Sequence, residues 1–152
     1  MGNINMSRVI LGGIVAGIVA DVLGFLVDGV ALAPQWSDAM KALGRPDFTT
    51  NQMVWFNVLG LAGGIFALWL YSAIRPRYGA GPKTAVYAGL AWWIVGTLLP
   101  NAGFMGVAGL FPTGLTTMTT LGGVVECIVG VVAGAALYQE AETALRSSAA
   151  RA

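Results

Sequence analysis

Apolar residues fill four stretches of this chain, and each stretch is long enough to cross a bilayer as one helix. They cover roughly residues 8–32, 52–74, 84–111 and 115–138. A membrane-spanning helix needs about 20 predominantly apolar residues, and four such segments are more than a soluble core can use in so short a chain. The pattern predicts an all-α membrane protein with one domain over residues 1–152, of which residues 139–152 form an exposed, frayed tail.

The amino-acid composition points to the same class of protein. The chain has 152 residues, of which 57% are hydrophobic and 10% are charged, and its mean hydropathy is +0.75. Soluble domains carry about 25% charged residues, so this composition excludes a soluble surface. The Lys and Arg residues form no basic stripe, which argues against a nucleic-acid partner.

Basic residues are distributed unevenly between the loops. Lys41 and Arg45 lie in the first loop, residues 33–51. This loop is also predicted to be a structured outer loop, with Trp36 as an interfacial anchor. Six others flank the spans on the opposite side: Arg8, Arg75, Arg77, Lys83, Arg146 and Arg151. Cytoplasmic loops carry an excess of Lys and Arg, so we expect both termini in the cytoplasm. With short second and third loops, the predicted fold is an antiparallel four-helix transmembrane bundle.

The third span contains three residues that disturb a regular apolar helix. Pro100 removes a backbone donor inside the span, so we expect the third helix to be kinked there. Trp92 and Trp93 fall near the middle of the span, where each indole N–H needs a hydrogen-bond partner.

Three carboxylates lie within the predicted spans. Asp21 and Asp28 belong to the first span and Glu126 to the fourth, and apart from Arg8 at the first position the spans hold no Lys, Arg or His. Even the mildest scale assigns roughly 2.5–3.5 kcal/mol to an ionisable group in the middle of a bilayer, so such a group is by default a functional-site hypothesis.

The positions of the polar residues suggest an opening on the outer side. Asp21 and Glu126 each share a helix face with glycines three or four residues away, so both acids are expected to face neighbouring helices. Both lie near the middle of their spans, and Asp28 lies about 10 Å further out at 1.5 Å per residue. Asn57 and Asn101 also fall in the outer halves. The pattern predicts an outward-facing polar vestibule floored by Asp21 and Glu126.

The residues expected to bind a ligand or ion are Asp21, Asp28, Glu126, Asn57, Asn101, Trp92 and Trp93, with Thr116, Thr117, Thr119 and Thr120 as further donors. Burial disfavours the charged form of a carboxylate, and a nearby second carboxylate disfavours it further. Without a basic partner in the spans, these acids are expected to be partly protonated, to share a proton, or to bind a cation or cationic ligand. The corresponding function is binding or transport of protons, cations or a small ligand.

A structural role for the same acids stays open. A protonated carboxyl group can hydrogen-bond a neighbouring helix, which contributes about 0.6 kcal/mol per contact on average. The protein would then be an accessory, assembly or scaffold subunit, because its 22 glycines suit helix docking within a homo-oligomer or a larger membrane complex.

Enzymatic and cofactor chemistry find little support. The sequence shows no nucleophile–base pair or oxyanion donor set, and an intramembrane aspartyl hydrolase would need a GxGD-type setting around its acids that is missing here. The absence of His excludes a bis-histidine haem and argues against a transition-metal site, and Cys127, as the single cysteine, cannot form an intrachain disulfide. We therefore expect a non-enzymatic protein with no cofactor and no metal.

Residues 68–93, LWLYSAIRPRYGAGPKTAVYAGLAWW, together with the LLP of mid-span three and the FPTGL hairpin, carry a family resemblance. The chain resembles a group of small bacterial four-span integral membrane proteins. These motifs are turn and packing features, so the resemblance implies the fold and a bacterial cytoplasmic (inner) membrane location, and it implies no activity. The chain differs from small multidrug-resistance exporters, whose single glutamate lies in the first span.

Overall fold

The structure is a computed structural model that describes residues 4–140, and within that range it contains helices and turns and no strand. The helices are α1 (Met6–Gly24), α2 (Ala33–Ala42), α3 (Thr50–Tyr78), α4 (Pro82–Trp93), α5 (Leu99–Gly103) and α6 (Thr113–Ala135). π-helical turns over Phe25–Ala31, Ile94–Leu98 and Phe104–Ala108 extend or join them. Most of the predicted tail, with Arg146 and Arg151, lies outside the described residues.

Four helices are long and apolar enough to span a membrane, as the sequence predicted. They are Met6–Ala31, Thr50–Tyr78, Pro82–Gly103 and Thr113–Ala135. Each begins two residues before its predicted start, and polar caps set the starts of the first two. Asn5 accepts a hydrogen bond from the Arg8 backbone N–H, and Thr49 and Gln52 form a reciprocal capping box at the start of α3.

The first loop contains a helix that the sequence analysis described only as structured. Helix α2 begins with Pro34 in its first turn, where proline's fixed φ and missing N–H suit a helix start. Leu32 and Ala39 are buried with Leu115, and Trp36 packs against this cluster. The loop is therefore docked onto the ends of α1 and α6.

Pro100 coincides with a change of helix type. Regular α-helix gives way to π-helix over Ile94–Leu98, where the Leu99 N–H donates to the Ile94 carbonyl five residues back. Because Pro100 has no N–H, the carbonyl four residues earlier loses its normal donor. The wider turns end just before the proline, and α5 starts with Pro100 in its first turn. The predicted kink at Pro100 itself stays a prediction.

Glycines bring the spans into close backbone contact. A Cβ added to Gly13 would collide with the backbone of Ile65 in α3, and one added to Gly12 would lie 2.7 Å from the Gly134 carbonyl oxygen in α6. A Cβ on Gly89 of α4 would lie 2.9 Å from the Cα of Ile128 in α6. Successive contacts along α1 meet earlier residues of α3 and α6, so α1 runs antiparallel to both.

The two ends of the molecule differ in charge and in packing. We call the end carrying Arg8, Arg75, Arg77 and Lys83 the basic end, and the end covered by helix α2 the α2 end. Near the basic end the spans bury a core of Val9, Ala16, Ala67, Leu68, Tyr71, Ala85, Ala88, Val131 and Tyr138. Toward the α2 end, residues 50–59 of α3 are all exposed, on every face of the helix. Helix α3 therefore packs loosely over that segment, where the ring of Phe56 still meets that of Phe48 in the first loop, with centroids 5.7 Å apart.

Candidate ion-binding site

Asp21 lies at the boundary between the tightly packed half and the open half. Its carboxylate faces α3 at Gly60, where an added Cβ would collide with Asp21 Oδ1. Gly60 is also the first partly buried residue of α3 after the exposed segment. Among the described residues, the side-chain hydrogen bonds do not include Asp21. The glycine thus provides the space that the Asp21 carboxylate occupies, and no described residue donates a hydrogen bond to that carboxylate.

Glu126 projects from α6 toward α1. A Cβ added to Gly24 would lie 3.3 Å from Glu126 Oε2, and one added to Gly122 would lie 3.3 Å from Oε1. Oε1 is buried and has no hydrogen-bond partner among the described residues. An unsatisfied buried acceptor costs roughly 1–3 kcal/mol, and more when it is charged. Glu126 therefore has the chemistry of a site that gains a proton or a cation.

The three carboxylates form a ladder along α1 and α6. Glu126 lies at the level of Gly24, and therefore about one helical turn from Asp21 on one side and from Asp28 on the other. The sequence placed Asp21 and Glu126 at one depth, and the contacts set them one turn apart. The three carboxylates therefore lie on successive helical turns.

Asp28 differs from the other two acids because its Oδ1 is well satisfied. The indole N–H of Trp36 donates to it over 3.0 Å, and the Thr119 hydroxyl donates over 2.7 Å. These hydrogen bonds join the end of the first span to α2 and to α6. Asp28 therefore ties the α2 end together, which is the structural role that stayed open for all three acids.

Trp93, Asn101 and Thr120 form a second polar contact between the third and fourth spans. The Trp93 indole N–H donates to the Thr120 carbonyl over 2.8 Å, and the Asn101 amide donates to the Thr120 hydroxyl over 2.9 Å. The hydroxyl in turn donates to the Thr116 carbonyl over 2.6 Å. Each donor thus has an acceptor, and the network contains no ionisable group, so it holds the two spans in register.

Within residues 4–140, neither Trp92 nor Asn57 forms a hydrogen bond with a carboxylate. The Trp92 ring lies against α3, where a Cβ on Gly63 would meet its indole. Asn57 is exposed, and its amide donates to the Met53 carbonyl of its own helix over 2.7 Å. Trp92 fills space between α3 and the third span, whereas Asn57 lines the open segment of α3.

Sequence reasoning missed two participants. Trp36 was expected to be an interfacial anchor, and its donation to Asp28 depends on the α2 helix, which folds back over the spans. Gly60 was not among the predicted site residues, and its role as the space for the Asp21 carboxylate depends on the α1–α3 register. In both cases the missing signal was the relative position of two helices, which helical periodicity within one helix does not specify.

A multidentate metal centre is not formed by these acids. Within residues 4–140, no group of three or more His, Cys, Asp or Glu side chains is placed to hold a metal ion. The ladder spreads its carboxylates over two helical turns, whereas the ligands of one metal must converge on a single point. The geometry of the ladder suits the binding of one proton or one monovalent cation at a single carboxylate.

Comparison with protein-family models, with curated proteins and with solved structures gives no match to this chain.

Proposed function

We propose that this protein binds and releases protons, or small monovalent cations, through Asp21 and Glu126 within the membrane. The proposal also assigns it an antiparallel four-helix transmembrane bundle in a bacterial cytoplasmic membrane, with both termini in the cytoplasm. The α2 end then faces outward, and the carboxylates are reached from that side. Transport across the bilayer is the function that such a site serves best.

The observation that carries this proposal is the position of Asp21 and Glu126 where the packing of the spans loosens. Toward the basic end the helices approach backbone to backbone, and toward the α2 end residues 50–59 of α3 are exposed on every face. At such a junction, an ion can reach a carboxylate from the α2 end, whereas the close-packed helices block access from the basic end. That is the arrangement of a binding site with gated access.

The hydrogen bonds favour a binding role over a structural role for Asp21 and Glu126. Asp28 accepts from Trp36 and Thr119, as a structural acid should. Within the described part of the chain, Glu126 Oε1 is buried without a donor, and the Asp21 carboxylate contacts Gly60. If these two acids served only to hold helices together, each would be expected to bond a neighbouring helix.

The outward orientation of the α2 end rests on charge. The basic end carries Arg8, Arg75, Arg77 and Lys83 against one acid, Glu140, among the described residues. The α2 end carries Lys41 and Arg45 against Asp38 and Asp47. A cysteine placed at Ser37 or at Ala80 in a Cys127→Ala background tests the orientation, because an impermeant maleimide should label only the Ser37 position from outside intact cells.

Proton flux in proteoliposomes tests the function. Vesicles that contain the protein and a trapped pH-sensitive dye receive an imposed pH gradient, with valinomycin and K⁺ to prevent charge build-up, and with or without Na⁺. We expect the gradient to collapse faster than in protein-free vesicles, and Asp21→Asn and Glu126→Gln to remove the increase. Asp38→Asn, an exposed acid on α2, is the matched control. Equal rates for wild type and both intramembrane variants would contradict the proposal.

A second candidate function is an assembly or accessory subunit, alone as a homo-oligomer or within a larger membrane complex. The observation that favours it is the ten-residue segment 50–59, because a helix that faces only lipid still buries one side against its own bundle. Cysteine cross-linking at Val54 or Leu59 in native membranes tests it. A cross-linked dimer supports self-assembly, a product with another chain supports a complex, and uncross-linked monomer contradicts both.

A further inference from the structure

A shallow groove runs along the outside of the molecule between α3 and α4, away from the carboxylates. Its volume is about 330 Å³, and it is lined by Leu70, Ile74, Tyr78, Tyr87 and Ala91. Leu70, Ile74 and Tyr78 follow one another at four-residue intervals, so the groove extends about 12 Å along α3. It therefore runs parallel to the spans, and thus to the acyl chains of a surrounding bilayer.

The groove ends in aromatic and basic side chains. The rings of Tyr78 and Tyr87 meet edge to face at the basic end, with centroids 5.6 Å apart. Lys83 Nζ lies 6.0 Å from the Tyr87 ring centroid, and both Lys83 and Arg77 are exposed. The apolar groove suits the acyl chains of a phospholipid, and the lysine and two tyrosines at its end suit the head group.

The positive charge of the basic end favours a lipid with an anionic head group. Arg75 is engaged by Glu140, with Nη1 and Oε1 3.3 Å apart, and its guanidinium carbon lies 5.4 Å from the centroid of the Tyr138 ring. The one acidic side chain described at this end therefore faces Arg75, whereas Lys83 lies beside the Tyr87 ring of the groove and Arg77 is exposed at the same end. Basic pockets between transmembrane helices bind anionic head groups, and each nearby Lys or Arg contributes about 1 kcal/mol of attraction to an anionic membrane surface.

We infer that this groove binds an anionic diacyl phospholipid, with one acyl chain along Leu70, Ile74 and Ala91 and the phosphate beside Lys83. This site is separate from the carboxylate ladder and does not depend on the proposed function. The bound lipid covers the α3–α4 seam. It also holds the tyrosine pair at the level of the head groups, which is where tyrosine is enriched in membrane proteins.

Lipid binding to the purified full-length protein tests the inference. The delipidated protein in detergent is titrated with phosphatidylglycerol and, in parallel, with phosphatidylcholine of the same acyl chains, and native mass spectrometry counts the bound lipid. We expect phosphatidylglycerol to bind more tightly. Lys83→Gln should weaken it about fivefold, which corresponds to about 1 kcal/mol, and Ala91→Phe should fill the groove and weaken both lipids.

Two matched controls separate this site from general effects. Lys41→Gln removes an exposed lysine at the α2 end, and Ala62→Phe adds a ring at an exposed position of α3 outside the groove. Both should leave binding unchanged. Equal affinity for the two lipids would overturn the inference, and so would preferential binding that survives either Lys83→Gln or Ala91→Phe. Proton flux plays no part in this measurement, so failure here is distinguishable from failure of the proposed function.

Discussion

Gly60 faces the Asp21 carboxylate across the α1–α3 interface, and a methyl group on Gly60 would occupy the space of Asp21 Oδ1. The obstacle to Gly60→Ala is the end of a movable side chain, so the fold should survive the substitution. The carboxylate should be displaced, and we expect proton flux in proteoliposomes to fall while the melting temperature stays close to wild type.

Gly103→Ala is the matched control, because no atom lies within 4 Å of a Cβ at that position. It should change neither quantity. If Gly60→Ala transports protons at the wild-type rate, the position of the Asp21 carboxylate has no bearing on the function.

Gly13 and Gly64 are expected to respond differently from Gly60, because a Cβ at either would strike backbone. Gly13 faces the backbone of Ile65, and Gly64 faces the backbone of Gly13 and Gly17. Overpacking of a tight interface costs typically about 1–3 kcal/mol. Gly13→Ala and Gly64→Ala should lower the free energy of unfolding by at least that amount in a sodium dodecyl sulfate titration. Unchanged unfolding would show that α1 and α3 do not approach this closely.

Thr120 connects the third and fourth spans through its hydroxyl. Thr120→Val keeps the shape of the side chain and removes the acceptor for Asn101, while the Trp93 bond to the backbone carbonyl remains. Interhelical hydrogen bonds in membranes average about 0.6 kcal/mol, so a loss of that order is expected in the same titration. The control is Thr117→Val, because the Thr117 hydroxyl bonds only the Thr113 carbonyl of its own helix. Equal losses for the two variants would contradict an interhelical role.

Asp28 and Glu126 should affect stability in opposite directions. Asp28→Ala removes the acceptor of Trp36 and Thr119, so α2 should dock less firmly and Trp36 fluorescence should shift toward that of an exposed indole. Glu126→Gln replaces a buried carboxylate that has an unpartnered oxygen by a neutral amide of the same shape. Its unfolding free energy should equal or exceed that of wild type. A marked loss of stability in Glu126→Gln would assign this residue a structural role.

The sequence predicted the elements of this fold better than the contacts between them. Apolar stretches of about 20 residues give the spans directly, because lipid requires every backbone group to bond within its own helix. The carboxylates were identified for the same reason, since a charge in such a stretch is costly. The length of an apolar stretch and the presence of a charge within it can each be recognised from a single segment of the chain.

Contacts between segments were harder to predict. The one-turn offset of Glu126 from Asp21 follows from which glycines of α1 and α6 meet, and several glycines in each span offer similar registers. Asn57 was expected beside the acids, but residues 50–59 of α3 separate from the other spans. The α2 helix was hidden in a polar segment, where its docking depends on Leu32, Ala39 and Leu115 from separate elements.

The central claim is that Asp21 and Glu126 change protonation state while the protein stays folded. Infrared difference spectra of the carboxyl region, recorded on the purified protein from acidic to alkaline pH, measure this directly, with Asp21→Asn and Glu126→Gln assigning the bands. The account predicts that each variant removes a titrating carboxyl band and shifts the other, because the two charges interact. Bands that stay unchanged over the whole range would contradict it and would make both acids structural.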